Sequence, residues 1–411
     1  MKPIEPYYPG RAGDYSSTRE GYRAFHPKPL PPDPPLHFSS RLLGLLSAAS
    51  IEMGRLDGAA EILPDPDFFV YSYVRKEAVL SSQIEGTQSS LVDLLDYEAG
   101  AERPAYPRDV REVANYVRAL NRAVTRIREG ERITVRLLQD THKHLLNKVR
   151  GQSGQPGTLK VRQNWIGPAG SSPATADFVP PPPEETRQLL NELVVYIQTD
   201  SLEPPLLRAA LVHSQFETIH PFLDGNGRMG RLLVVLLLTD CGAVRRPVLY
   251  LSYFFLKHRD EYARRLQRVR DDGDWEGWVE FFLNGVRETS IQAAGTARAI
   301  LSMKTEHEVQ IGRTLGIRSG RGLQLLERLF HQPVISVGEV AKVIGTTYPP
   351  ANTLVRDFVT MGLLTQVTGQ KRNRFFRYSP YIEILQKDHL PSPFPRNFGQ
   401  HGTRSRIIRR R

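Results

Sequence analysis

The stretch from His213 to Arg231, HSQFETIHPFLDGNGRMGR, constrains this chain more than any other. Leu206, Ala210 and Phe216 recur at helical spacing ahead of it, and the helix they predict must end at His220, because a residue preceding proline is pushed out of the helical region. Met229 to Leu238 then form an almost unbroken apolar run of helix formers, which predicts a second helix. Between the two lie Asp224-Gly225-Asn226-Gly227. Two glycines flanking an asparagine at a helix start leave backbone N–H groups open to an anion, and the helix dipole favours negative charge there. The unit therefore reads as helix, phosphate cradle, helix.

The side chains around that cradle extend the reading. Arg228 and Arg231 lie one turn apart, so both guanidinium forks can reach phosphate oxygens beyond the one held by backbone. Asp224 offers a hard oxygen ligand for a magnesium ion bridging phosphates, and His220, at the other end of the loop, can accept a proton from an attacking hydroxyl. Taken singly, each is ordinary for a turn or a solvated helix face. Within one short segment they point to in-line attack on a nucleotide phosphate.

Composition sets the frame. A chain of 411 residues accommodates two or three domains, and 24% charged residues is ordinary for a globular protein. No run of about eighteen apolar residues occurs, and MKPIEPYYPGRAGDYSS has no signal-peptide core, so a cytoplasmic location and no membrane partner are expected. Cys241 is the single cysteine, which excludes an intramolecular disulfide and a multi-thiolate metal site. The formal net charge is +11, and Arg396, Arg404, Arg406, Arg409, Arg410 and Arg411 concentrate much of that excess in the tail.

HPFLDGNGRMGR, His220 to Arg231, resembles the signature HxFx(D/E)GNGRxxR of Fic-domain proteins at every fixed position. The resemblance implies a mainly α protein, a Fic-type helical bundle with a β-hairpin flap, acting as a protein adenylyltransferase that moves AMP from ATP to a Ser, Thr or Tyr hydroxyl of a target protein and releases pyrophosphate. By that likeness His220 is the base, Asp224 the Mg²⁺ ligand, Gly225, Asn226 and Gly227 the anion hole for the α-phosphate, and Arg228 and Arg231 the holders of the β- and γ-phosphates. Gly230, at a variable place in the motif, is counted with the nucleotide-contacting residues. Upstream, Ser81-x-x-x-Glu85-Gly86 is similar to the family's inhibitory pattern (S/T)xxxE(G/N). It implies a glutamate on the chain's own N-terminal helix that pairs with Arg231 and keeps that arginine from the γ-phosphate; residues alone would give a surface Ser–Glu pair at a helix end.

Taken in order, residues 1–38 are rich in Pro, Gly and Tyr and read as an extended arm. Residues 39–105 form an N-terminal helical region carrying the inhibitory helix, and 106–290 the catalytic core. Within the core His142 and His144 point to different helix faces and are not expected to be ligands. Val161 to Ile166 and Thr175 to Val179 flank a Gly/Pro/Ser turn and predict a hairpin; in Fic proteins an equivalent flap receives the target segment as an added strand. Tyr253 and Tyr262 are candidates to line an adenine pocket, Tyr262 by family likeness, with core packing an equal alternative. Residues 291–325 read as a helical linker and 391–411 as a basic flexible tail.

Residues 326–390 give strand, helix, turn, helix and two more strands, an order that looks like a winged helix-turn-helix. Thr346, Thr347, Tyr348, Asn352 and Arg356 would face outward, with Lys371, Arg372 and Arg374 on the wing. The partners implied are ATP and a target protein hydroxyl, the chain's own included; a homo-oligomer and DNA at the winged helix stay open. Two other functions also stay open, a nucleotide-sensing DNA-binding regulator and removal of AMP by the same site.

Overall fold

The computed structural model describes residues 8–62, 66–101, 109–151, 155–367 and 374–387, without the side chains of 62–68. The fold is mainly α-helical, with small antiparallel sheets. Helix α1 (Ser40–Ile62) buries Leu42, Ala49, Met53 and Leu56 against α11 (Trp275–Leu315), which supplies the partner its apolar stripe requires. Helix α11 crosses residue 290 without a break and ends at Leu315, inside the segment read as a linker. Helix α2 (Pro66–Ile84) stops before Gly86, whose φ of 89° lies in the left-handed region. A capping box of Ser90 and Asp93 then restarts the chain as α3 (Leu91–Ala99).

The core around the motif is built from α4 (Val110–Arg128), α5 (Val135–Leu145), α6 (Pro183–Gln198), α7 (Pro205–Ile219) and α8 (Asn226–Asp240). Met229 to Leu238 are buried on every side of α8, so this helix is the centre of the bundle and packs on α7 and α4. Each leucine enclosed there contributes about 1.5–3 kcal/mol of burial, and that packing holds the loop between α7 and α8 stiffly. Helices α9 (Ser252–Lys257) and α10 (Arg259–Asp272) complete the core with α11.

Two expectations for irregular segments change. The N-terminal arm is a hairpin, β1 (Gly13–Ser17) paired with β2 (Arg23–Pro27), with Tyr15 opposite Phe25. It is fixed to the core by a two-bond ion pair from Arg11 to Glu276, at 2.8 and 3.1 Å, and by Gln215 Nε2 donating to the Lys28 carbonyl. Conversely, the flap is one antiparallel bridge rather than two strands. Ile166 and Phe178 exchange N–H to carbonyl bonds of 2.8 and 3.0 Å, and the prolines at 168, 173 and 180–183 leave few N–H groups to extend the ladder. Its outer side is held by the arm, since Phe25 N–H donates to the Val179 carbonyl.

Past α12 (Ser319–His331) come β3 (Val334–Ser336), α13 (Val337–Val343), α14 (Tyr348–Thr360), β4 (Leu364–Gln366), β5 (Phe375–Tyr378) and α15 (Ser379–Gln386), with sheet order β3–β5–β4. Thr347, Tyr348 and Arg356 are exposed, Thr346 and Asn352 half-buried, and Arg374 donates to Asn352. Lys371, Arg372 and the tail from 391 lie outside the described residues. This C-terminal module sits on the N-terminal region: Arg377 reaches the buried Asp96 of α3 at 2.7 Å, and Ser72 of α2 hydrogen-bonds Tyr381. No helix among the described residues is long and apolar enough to cross a membrane.

Candidate active site

The site is first a backbone construction. Helix α7 ends at His220, which adopts φ 49°, a left-handed conformation that costs a non-glycine residue about 1–2 kcal/mol. What over-determines it comes from the flap. Asn164 Nδ2 donates to the carbonyls of His220 and Phe222 at 3.0 and 2.7 Å, and Lys160 Nζ donates to the Ile219 carbonyl and to Asn164 Oδ1. Within the loop, the Asn226 amide both accepts from Phe222 N–H and donates to its carbonyl. From the other side, His142 takes the Gly157 N–H on Nδ1, so its Nε2 carries the proton and donates to the Asp224 carbonyl at 2.9 Å. Its ring stacks on Phe222 with centroids 3.8 Å apart.

Asn164, Lys160 and His142 were not foreseen as site residues. They lie 56 to 82 residues from the groups they hold, and no local pattern in the sequence pointed to them. Asn164→Ala removes the side-chain donor from two carbonyls of the turn, at a cost of about 1–3 kcal/mol where the group is buried. The expected outcome is a folded protein with a lower melting temperature in which the turn at His220 loses its fixed geometry. Thermal melting and amide hydrogen exchange at His220 to Phe222 check this; exchange and melting equal to the parent's would show that the clamp is dispensable.

Gly225, at φ 77°, presses on Leu146 and His142, and α8 opens at Asn226 with the Gly227 amide in its first turn. Arg231, almost fully buried, donates from Nε to Ser81 Oγ at 2.9 Å and from Nη2 to the Ser81 carbonyl at 2.9 Å and to Glu85 Oε1 at 2.7 Å. The contact to the carboxylate is thus a single bond, with Ser81 accepting from Nε and from Nη2 beside it. Glu85 also does more than pair: its Oε1 lies against Gly227 so closely that any side chain at 227 would collide with it. A carboxylate oxygen therefore occupies the space beside the anion cradle. Burial pushes the Glu85 carboxyl up, but the Arg231 guanidinium outweighs burial and holds it below the ordinary carboxylate value.

Arg228 is equally buried and is paired with Glu112 of α4 at 3.1 Å, its Nη2 standing 3.9 Å from Asp224 Oδ1. Asp224 Oδ1 accepts the Gly225 N–H, and the second oxygen faces Gly151, where a side chain would collide with it. His220 donates from Nδ1 to the Glu217 carbonyl at 3.3 Å, which leaves the Nε2 lone pair free. Burial, then the charges of Lys160 and Arg270, push its pKa down to about 3, so the ring is neutral across the physiological range.

The further nucleotide-contact candidates, Tyr253, Tyr262 and Gly230, pack within the core. Tyr262 is buried, bonded through its hydroxyl to His213 at 2.8 Å, and stacked on Phe255; Tyr253 is buried too. These rings fill the aromatic core and present no open face to a purine. Gly230 faces away from the cradle, against Glu217 and Phe216, where its missing side chain lets α7 and α8 approach. The structure otherwise brings His220, Asp224, Gly225, Asn226 and Gly227 around one loop and sets Ser81, Glu85, Gly86 and Arg231 beside it.

Residues 43–125 match the model for the Fic/DOC family N-terminal region, and residues 132–238 match the model for the Fic/DOC family. A protein adenylyltransferase Fic of Aedes aegypti is 29% identical over 167 residues, 40% of this chain and 30% of that protein. A probable protein adenylyltransferase of Aquifex aeolicus is 37% identical over 96 residues, 23% of this chain and 28% of that protein. The chain thus spans about three tenths of the length of these curated relatives. The crystal structure of a Fic family protein from Desulfovibrio desulfuricans G20 shares the fold at a TM-score of 0.55 and 20% identity, covering 84% of this chain and 98% of that one. With the motif and the loop geometry in register with both matches, residues 43–125 form a Fic/DOC N-terminal region and residues 132–238 a Fic/DOC domain.

Proposed function

We propose that the protein transfers AMP from ATP to a hydroxyl of a protein substrate, and that Glu85 holds the enzyme off. The observation that carries this reading is the Glu85 carboxylate seated beside Gly227 and bonded to Arg231, an anion resting in a site made for one. In the reaction the substrate hydroxyl attacks the α-phosphorus as the bond to the β-phosphate oxygen breaks. His220 Nε2 takes the hydroxyl proton, and the Asn226 and Gly227 amides, at the first turn of α8, face the charge that develops on the α-phosphate. Arg231, once released from Glu85, neutralises the departing pyrophosphate together with Arg228.

The residues fit a magnesium ion held jointly with substrate phosphates. Asp224 keeps an oxygen open beside the side-chain-free Gly151, and Mg²⁺ is commonly bound by one or two carboxylates plus phosphates and water. When bound, the ion would neutralise the bridging phosphate oxygens. The 161–166 edge, with Val161 and Ile166 exposed next to the Ile166–Phe178 bridge, is the place for a substrate strand, recognised through its main chain. On its strand and helix order we read 334–378 as a winged helix-turn-helix docked on α2 and α3.

Adenylyl and phosphoryl transfer separate cleanly by isotope. In the Glu85→Gly variant with Mg²⁺, label from α-phosphate-labelled ATP should become covalently bound to protein, while label from the γ-phosphate leaves with pyrophosphate. Protein labelled from the γ-phosphate, or from neither, overturns the proposal.

A further inference from the structure

Arg231 has its own carboxylate partner in Glu85, and the other motif arginine has one too. Arg228 is 1% exposed and pairs through Nη1 with Glu112, which is 6% exposed and belongs to α4. The two arginines differ in how that partner is held. Glu85 lies on a turn after α2, with side-chain exposure of 36%, whereas Glu112 is buried in the first turn of α4. Arg150 joins them, donating to Glu112 at 3.5 Å and to the Glu85 main-chain carbonyl at 3.3 Å. Arg228 Nε is buried without a hydrogen-bond partner among the described residues, and Nη2 faces Asp224 across 3.9 Å. One edge of the guanidinium is thus fixed by Glu112, and Nη2 faces the motif loop.

We propose that Glu112 is a positioning residue for nucleotide binding: it grips Arg228 by Nη1, keeps it from collapsing onto Asp224, and so leaves both side chains free to meet the triphosphate. A planar guanidinium held at one edge presents the rest of its fork in a set direction, which lowers the ordering needed when phosphate arrives. Without Glu112 the nearest anion for Arg228 is Asp224, and closing that gap consumes an arginine and a carboxylate of the cradle at once. The inference rests on the nucleotide reading of the cradle, and makes Glu112 act through Arg228 rather than on substrate.

The test is a double-mutant cycle in the full-length Glu85→Gly protein, with calorimetric binding of a non-hydrolysable ATP analogue in Mg²⁺ as the readout. Glu112→Ala should weaken binding about tenfold or more, the scale of a charge-assisted hydrogen bond, while Glu112→Gln, which keeps an acceptor for Arg228, stays within about threefold of the parent. Glu112→Ala combined with Arg228→Ala should bind no worse than Arg228→Ala alone, because the effect of Glu112 passes through that arginine. In catalysis the loss should appear in KM for ATP and not in kcat.

Parent-like binding by Glu112→Ala overturns the proposal, and so do losses that multiply in the double variant, the pattern expected from general damage to the fold. If Glu112→Ala melts too low to measure, Glu112→Gln decides: a tenfold loss there shows that the charge rather than the grip matters, against the proposal. A cycle that behaves as expected in a protein that never transfers AMP would sink the adenylyltransferase reading and leave the role of Glu112 standing. A parent that does not bind the analogue sinks both.

Discussion

Glu85→Gly is expected to raise covalent labelling of the protein by α-labelled ATP about 10- to 100-fold over the wild type, the factor that one charge-assisted hydrogen bond supplies. The carboxylate acts twice. It takes Arg231 Nη2, and it fills the space against Gly227 where a phosphate oxygen would otherwise come under the helix N-terminus. Removing it also leaves a buried guanidinium with fewer partners. The stability lost should be less than the roughly 3–5 kcal/mol of a fully enclosed pair, because Glu85 is partly exposed and both bonds to Ser81 remain. The variant should therefore melt lower than the wild type without nucleotide and gain more on adding ATP. Since the Glu85 carboxyl sits below its ordinary value, its stabilising contact is present above the normal carboxylate range and is lost only as pH falls through that lowered value. Mild acid should not release the enzyme. Equal labelling of wild type and variant, or equal stabilisation by ATP, would show that Glu85 is no brake.

What the sequence revealed of this site divides along chain distance. His220 to Arg231 was legible because its chemistry is local: a proline sets where one helix stops, glycines and asparagine set where the next begins, and the side chains follow at one-turn spacing. Glu85 was legible only as a pattern, since nothing in its neighbours says that α2 will end beside Gly227. Glu112, His142 and Asn164 left no mark, because each acquires its role from a contact made in the folded bundle. Tyr262 shows an ambiguity of another kind. An aromatic residue in a dense aromatic segment serves a pocket and a core equally well, and in the structure its ring packs against His213 and Phe255. The hairpin of β1 and β2 escaped notice because proline and glycine dominate the arm, while the flap, read as a hairpin from its two segments around a turn, made only one bridge because its prolines remove donors.

His220→Ala in the Glu85→Gly background should lower AMP transfer by about 10²–10⁴-fold, the usual contribution of a positioned base. Alanine is also strained at φ 49°, so His220→Asn is the cleaner companion: asparagine tolerates the left-handed turn yet puts no base at the Nε2 position. Both variants should bind ATP within a few-fold of the parent, since the ring touches neither the cradle amides nor Arg231. Label on either at the parental rate would remove His220 from the mechanism. The pH profile gives an independent check. A base works when deprotonated, so activity falls as pH drops through its pKa, which in the free protein burial, Lys160 and Arg270 push down to about 3. The profile of kcat/KM, which reports the free enzyme, should therefore lack an acid limb near the ordinary histidine value. In kcat, which reports the complex, the triphosphate brings negative charge beside the ring and raises its pKa, so the limb should move to higher pH than in kcat/KM. That upward displacement also makes the ring a better proton acceptor once substrate is bound. An acid limb near 6.5 in kcat/KM, unchanged in His220→Asn, would show that another group takes the proton.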